Sequence, residues 1–199
     1  FVRIEDARML GSEQLPVPVM EEIGKLKSQL LRLAETETPL RSVLITSTLQ
    51  REGKSLTAVN LAISLAQSVD HTVLLVDADL RRPSIHRFFN LQNKVGFIQC
   101  LRQECSFGDA LVRTDIGNLV VLPSGGTVDG PVELLSAAST RRIVEEIESR
   151  YPDRIVIFDS PPSLHFADAH ELAIQTDGVL FVVRERFPQR HEIKQALHN

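Results

Sequence analysis

The sequence predicts an α/β fold, a doubly wound, mostly parallel sheet with helices on both faces. Three observations predict it. Apolar, β-branched-rich runs recur at 42–46, 72–76, 118–122, 154–158 and 178–183, as expected of strands buried on both faces of a parallel sheet. Stretches of helical spacing separate most of them. Three of the runs pass at their carboxyl ends into distinctive polar residues, where open parallel sheets place their ligands.

Bulk properties narrow the classes. A chain of 199 residues fits one globular domain with a sizeable core. The net charge of -4 gives no nucleic-acid footprint, so no nucleic-acid partner is expected. Cys100 and Cys105 are the only cysteines. They suggest neither a disulfide framework nor a zinc site, and read as reduced thiols of a cytosolic protein. No apolar run approaches the ~20 residues of a membrane span. The chain starts at Phe1 rather than Met, which suggests a piece of something longer.

In chain order, Pro16 and Pro18 predict an extended lead-in over residues 1–18. Val19, Ile23, Leu26, Leu30 and Leu33 fall at helical spacing, so 19–35 is an amphipathic helix opening a domain that runs over 19–199. It either packs on the domain surface or meets a neighbouring subunit. A short linker containing Pro39 leads to the first strand, Ser42-Val43-Leu44-Ile45-Thr46.

Then comes Ser47-Thr48-Leu49-Gln50-Arg51-Glu52-Gly53-Lys54-Ser55, followed by the helical run from Leu56 to Ala66. Strand, tight loop and helix in that order is the context of a phosphate-binding loop. Its backbone N–H groups, across Thr48, Gln50, Arg51, Glu52, Gly53, Lys54, Ser55 and Leu56, would hold phosphate oxygens at the positive end of the helix. Lys54 would reach the β- and γ-phosphates, and the Ser55 hydroxyl would bind Mg²⁺. The first glycine of the usual G-x-x-x-x-G-K-[ST] pattern is Thr48 here. The plainer alternative is a strand-to-helix turn that uses Gly53 for a positive φ.

Two later segments disfavour that alternative. Thr72–Val76 runs into Asp77-Ala78-Asp79-Leu80-Arg81-Arg82-Pro83, which places two carboxylates at a strand end. Side chains two apart on an extended segment point the same way, and carboxylates converging on one spot call for a cation. Mg²⁺ is the natural one, although a solvated turn balanced by Arg81 and Arg82 would look similar. Arg154-Ile155-Val156-Ile157-Phe158-Asp159 is a Walker B strand, with Asp159 on the metal or its water, and Pro161-Pro162 stops it.

Between these segments, Phe88, Phe89 and Phe97 are expected in the core. Short helices are expected over 96–101, 106–112 and 132–136, and a longer one over 140–151. Residues 125–131 read as a loop bordering the nucleotide, and 189–198 as a final helix. The six histidines show no ligand spacing.

These residues resemble the bacterial tyrosine kinases (BY-kinases) of the P-loop NTPase fold. Asp77 to Pro83 matches their Walker A-prime segment, Arg154 to Pro162 their Walker B, and Pro131-Val132-Glu133-Leu134-Leu135 an intervening Pro-x-Glu-Leu-Leu. The resemblance implies an ATP- and Mg²⁺-dependent protein-tyrosine autokinase that regulates exopolysaccharide or capsule synthesis and export. It would work with a membrane polysaccharide co-polymerase as activator or fused domain, at the cytoplasmic face of the membrane, and could form a homo-oligomer. Lys54, Asp77, Asp79 and Asp159 would be catalytic, and Ser55, Asp77 and Asp159 would hold the metal.

This chain departs from the family pattern in several places. Gln50-Arg51 stands where the family has Pro-Gly. Glu21, Gly24 and Lys27 stand at its Glu-x-x-Arg-x-x-Arg ring motif. The tyrosine-rich tail and a last strand are missing, as expected of a chain that continues past Asn199. The sole tyrosine, Tyr151, reads as structural. Two alternatives remain open: a nucleotide-binding regulatory module without kinase activity, and a partitioning-type ATPase. The second is disfavoured because Leu49 occupies that class's early lysine position.

Overall fold

The computed structural model describes residues 9–10, 15–68, 71–135, 137–150 and 154–198. Among them a six-stranded sheet forms: β1 (Ser42–Ser47), β2 (Thr72–Asp77), β3 (Val112–Arg113), β4 (Leu119–Leu122), β5 (Arg154–Asp159) and β6 (Gly178–Val182), in the order β3-β4-β2-β5-β1-β6. All neighbours are parallel except the β3–β4 pair at one edge.

The helices are α1 (Val17–Ala34), α2 (Lys54–Ala66), α3 (Ile85–Phe88), α4 (Phe97–Leu101), α5 (Phe107–Ala110), α6 (Ala137–Arg150), α7 (Asp168–Ala173) and α8 (Arg190–His198). None is long and apolar enough to cross a membrane.

Strand alternation splits the core in two. Val43, Ile45, Val73, Leu75, Ile155 and Ile157 point to the face covered by α2, with Leu30 of α1 and Ile85 of α3. Leu44, Leu74, Val76, Val156 and Phe158 point to the opposite face, against α4, α5, α6 and α7. Neighbouring side chains of a strand leave the sheet on opposite sides, so a strand apolar at every position needs cover on both.

Several expectations shift. The first helix begins at Val17, two residues before the expected 19, because Pro18 sits in the first turn, where its missing N–H and fixed φ are tolerated. Of the lead-in, Met9 and Leu10 are buried, and the Leu10 N–H donates to Asn60 Oδ1 at 2.5 Å. Residues 131–135 form turns rather than the expected helix, with the Leu135 N–H returning to Pro131 O, and Ser136 lies outside the described residues. The helix expected over 106–112 stops at Ala110, and Val112–Arg113 becomes an edge strand against Val120 and Val121. Tyr151 is outside the described residues.

The loop after β4 is locked onto α4. The Phe97 and Ile98 N–H groups donate to Pro123 O and Ser124 O at 2.8 and 2.9 Å. A Cβ on Gly96 would lie 2.0 Å from Pro123 O, so only glycine allows this approach. Cys100 and Cys105 are free thiols with sulfurs 3.8 Å apart.

Candidate nucleotide and phosphoryl-transfer site

The three polar strand ends belong to adjacent strands. β5 lies between β2 and β1, with Asp159 in register with Asp77 on one side and Ile45 on the other. Segments far apart in sequence are therefore neighbours at the carboxyl ends of the central strands. The cleft there has a volume of about 510 Å³, bordered by Gln50, Arg51, Lys54, Asp79, Pro162 and Phe166, among others.

The loop enters α2 through Gly53, whose φ of 97° lies in the left-handed region, where glycine carries no Cβ penalty. Helix α2 has 13 residues, and its first-turn N–H groups have no carbonyl partner within the helix. Arg51 is the surprise: its φ is 66°, a strained value for a side-chain-bearing residue. It stands at the family's glycine. We expect Arg51→Val, whose branched Cβ is worse still, to cost about 1–2 kcal/mol. Arg51→Gly should leave stability within about 1 kcal/mol, because relief of strain offsets added freedom of the unfolded chain. Thermal melts of both variants check this.

The Lys54 ammonium donates to Asp79 Oδ2 at 3.0 Å and lies 3.9 Å from Asp159 Oδ1. Burial alone would lower its pKa. The charges of Asp159, Asp79 and Asp77 outweigh burial and hold it above the usual lysine value.

Asp77 and Asp79 do not simply converge. Asp79 takes Lys54 on one oxygen and the Arg82 N–H on the other. Asp77 Oδ2 accepts from the Ser84 and Ile85 N–H groups at 3.0 and 2.9 Å, and its Oδ1 is buried without a hydrogen-bond partner. Neither oxygen of buried Asp159 meets a donor at full hydrogen-bond geometry, although the Ser55 hydroxyl and the Lys54 ammonium are both close. Burial first, then repulsion from Asp159, holds Asp77 well above the usual carboxylate range. Burial pushes Asp159 up to about 6, against the pull of Lys54 and the Ser55 hydroxyl.

Buried carboxylate oxygens without a full hydrogen bond fit a cation. Among the described residues no three His, Cys, Asp or Glu side chains form a metal cage by themselves.

The Asp159 shift has a consequence for stability. Its folded pKa is raised, so stability is fullest below about pH 4 and is lost as pH rises through about 6. Above that, the nucleotide-free protein carries a penalty on the order of 3 kcal/mol. Asp159→Asn should therefore raise the melting temperature of nucleotide-free protein at pH 7.5 by several degrees and flatten its change between pH 4 and 7.

Several side chains around the loop have partners within the protein, beside the backbone role expected of the loop. The Glu52 carboxylate accepts from the Leu49 N–H and, at 2.9 Å, from the Arg184 N–H just past β6, bracing the loop against the sheet. Gln50 Oε1 accepts from the Arg82 guanidinium at 2.6 Å. Thr48 is buried, and its hydroxyl has no hydrogen-bond partner. Arg81 does not balance the Asp pair. It makes two hydrogen bonds to buried Asp168, at 2.5 and 3.0 Å, and its guanidinium lies 4.5 Å from the Phe166 ring centroid. Asp168 and Phe166 carried no sequence signal beyond an acidic residue opening a helix.

Comparison with known proteins shows the family and the fold. A family model described as an AAA domain matches residues 51–198. Tyrosine-protein kinase YwqD of Bacillus subtilis (strain 168) is 37% identical over 166 residues, which is 83% of this chain and 69% of that protein. The chain belongs to the bacterial tyrosine-protein kinase family. Among solved structures, the chimerical protein CapA2B2 superposes with a TM-score of 0.86 at 28% identity, over 99% of this chain and 87% of that one. The kinase domain of Escherichia coli tyrosine kinase ETK gives 0.82 at 28% identity, over 90% and 69%. Against this bacterial tyrosine-kinase background, Arg51 stands out as a left-handed arginine in the phosphate loop.

Proposed function

We propose that this chain is the catalytic domain of an ATP- and Mg²⁺-dependent protein-tyrosine autokinase. The observation that carries the proposal is the adjacency of β2, β5 and β1, which gathers Asp77, Asp159 and Lys54 at the carboxyl ends of the central strands. Bound Mg²⁺ would neutralise charge on the β- and γ-phosphate oxygens. Ser55 and the carboxylates of Asp159 and Asp77 would hold it and its waters.

The loop N–H groups and Lys54 would stabilise charge on the transferring group, exchanging some of the ammonium's contact with Asp79 for phosphate. Asp77 would orient the tyrosine hydroxyl and take its proton, for which a raised pKa is suited. The hydroxyl oxygen bonds to the γ-phosphorus, the bond to the bridging oxygen breaks, and ADP leaves. The resemblance to the bacterial tyrosine kinases supports regulation of exopolysaccharide or capsule synthesis and export. The partner would be a membrane polysaccharide co-polymerase, and the site of action the inner face of the membrane.

The test is incubation with γ-labelled ATP, Mg²⁺ and a tyrosine-bearing peptide. Label on tyrosine, abolished by a chelator, is expected. Release of phosphate with no labelled tyrosine would contradict the proposal and favour a nucleotide-gated module.

A further inference from the structure

We propose that a second, cationic cleft beside the nucleotide site binds an acidic, tyrosine-bearing segment and so selects the acceptor. Its role as acceptor site rests on the kinase reading above. The cleft, of about 480 Å³, is bordered by Arg81, Arg82, His86 and Arg87, with Gly126 and Thr127 among the other lining residues. It shares Arg81, Arg82 and Ser84 with the nucleotide cleft, so the two adjoin.

The charge pattern separates the clefts. Asp79 and Asp129 line the nucleotide cleft, whereas no carboxylate lines the second one. This cationic character is local, since the whole chain carries -4. Asp168 already neutralises Arg81. Arg82 donates to the neutral Gln50 amide, not to a carboxylate. Arg82 and Arg87 are both exposed, leaving two cations to meet anions. Gly126 also lines the cleft, and a Cβ built on it would meet nothing within 4 Å, so the space beside it is open.

A peptide fits this shape better than an isolated anion. An extended chain advances about 3.3 Å per residue. With its tyrosine in the nucleotide cleft, residues flanking it in an extended peptide would run into the adjoining cleft, which shares Arg81, Arg82 and Ser84 with it. Paired charges across such a contact set partner choice and approach rate more than raw affinity. Glutamate or aspartate flanking the tyrosine is therefore favoured, and lysine or arginine is rejected.

The experiment measures binding without relying on turnover. Labelled peptides with tyrosine flanked by glutamates, glutamines or lysines are titrated with the whole chain, Mg²⁺ and a non-hydrolysable ATP analogue, by fluorescence anisotropy. The glutamate peptide should bind roughly tenfold tighter than the glutamine one, and this preference should shrink at high salt. Arg87→Glu should abolish or invert the preference, Arg87→Lys should keep it, and neither should change affinity for the analogue.

Equal binding of the three peptides would overturn the proposal. So would an Arg87→Glu effect as large on the nucleotide as on the peptide. Displacement of the peptide by vesicles rich in anionic phospholipid, at charges that glutamate peptides do not match, would assign the cleft to a membrane surface instead. Charge-selective binding without phosphoryl transfer would sink the kinase reading and leave the cleft assigned. Transfer without charge selectivity would do the reverse.

Discussion

Lys54→Met lowers affinity for Mg·ATP, and any turnover, on the order of a hundredfold or more. The ammonium is the cation nearest three buried carboxylates, bonded to Asp79 at 3.0 Å and 3.9 Å from Asp159. It also lines the nucleotide cleft, at the position the family resemblance assigns to the phosphates. Its removal has a second effect in the nucleotide-free protein. Asp77, Asp79 and Asp159 lose their common counter-charge, and stranded buried charges destabilise by about 3 kcal/mol. Partial protonation of Asp77 and Asp159, whose pKa values are already raised, softens that loss. The variant should melt several degrees lower, and the gap should narrow as pH falls towards 5. Nucleotide titration below the lowered melting point separates lost binding from unfolding. Unchanged affinity and activity would count against the assignment.

Asp77→Asn should remove transfer far more than binding. The asparagine keeps an oxygen that can accept from the Ser84 and Ile85 N–H groups, so the turn into α3 survives. What it loses is the negative charge and basicity of the free Oδ1. Loss of a general base or of a charged partner for the metal lowers the rate by roughly 10²–10⁴-fold. Nucleotide affinity should stay within about threefold, held by the loop and Lys54. Phosphotyrosine blots of full-length wild type and variant, beside nucleotide titrations, read the two effects separately. Equal phosphotyrosine signal would refute the role.

Sheet and site were legible in the sequence for the same physical reason. Strands buried on both faces must be apolar at every position, so β1, β2, β4 and β5 announce themselves. The polar residues that interrupt them, Ser47, Asp77 and Asp159, then fall at strand ends. Strand order was not legible. Nothing local in Arg154 to Asp159 says that β5 inserts between β1 and β2, yet that insertion brings the motifs together.

Long-range pairing accounts for much of the rest. Glu52 reads as a loop residue until Arg184, 132 positions on, claims its carboxylate. Arg81 reads as a partner for the Asp pair until Asp168, 87 positions on, takes it. Val112–Arg113 is too short to carry a period and becomes a strand only because β4 offers it an edge. Residues 131–135 have helical composition but close into turns before a regular helix forms. Arg51 was visible as a missing glycine, and the φ of 66° shows what that glycine would have relieved.

The most direct measurement is a crystal structure of the chain with Mg²⁺, ADP and a γ-phosphate mimic. The account predicts one metal bonded to the Ser55 hydroxyl at about 2.1 Å, with Asp77 and Asp159 on it or on its waters, and Lys54 on the mimic. A nucleotide seated elsewhere, or a metal out of reach of both aspartates, would contradict it.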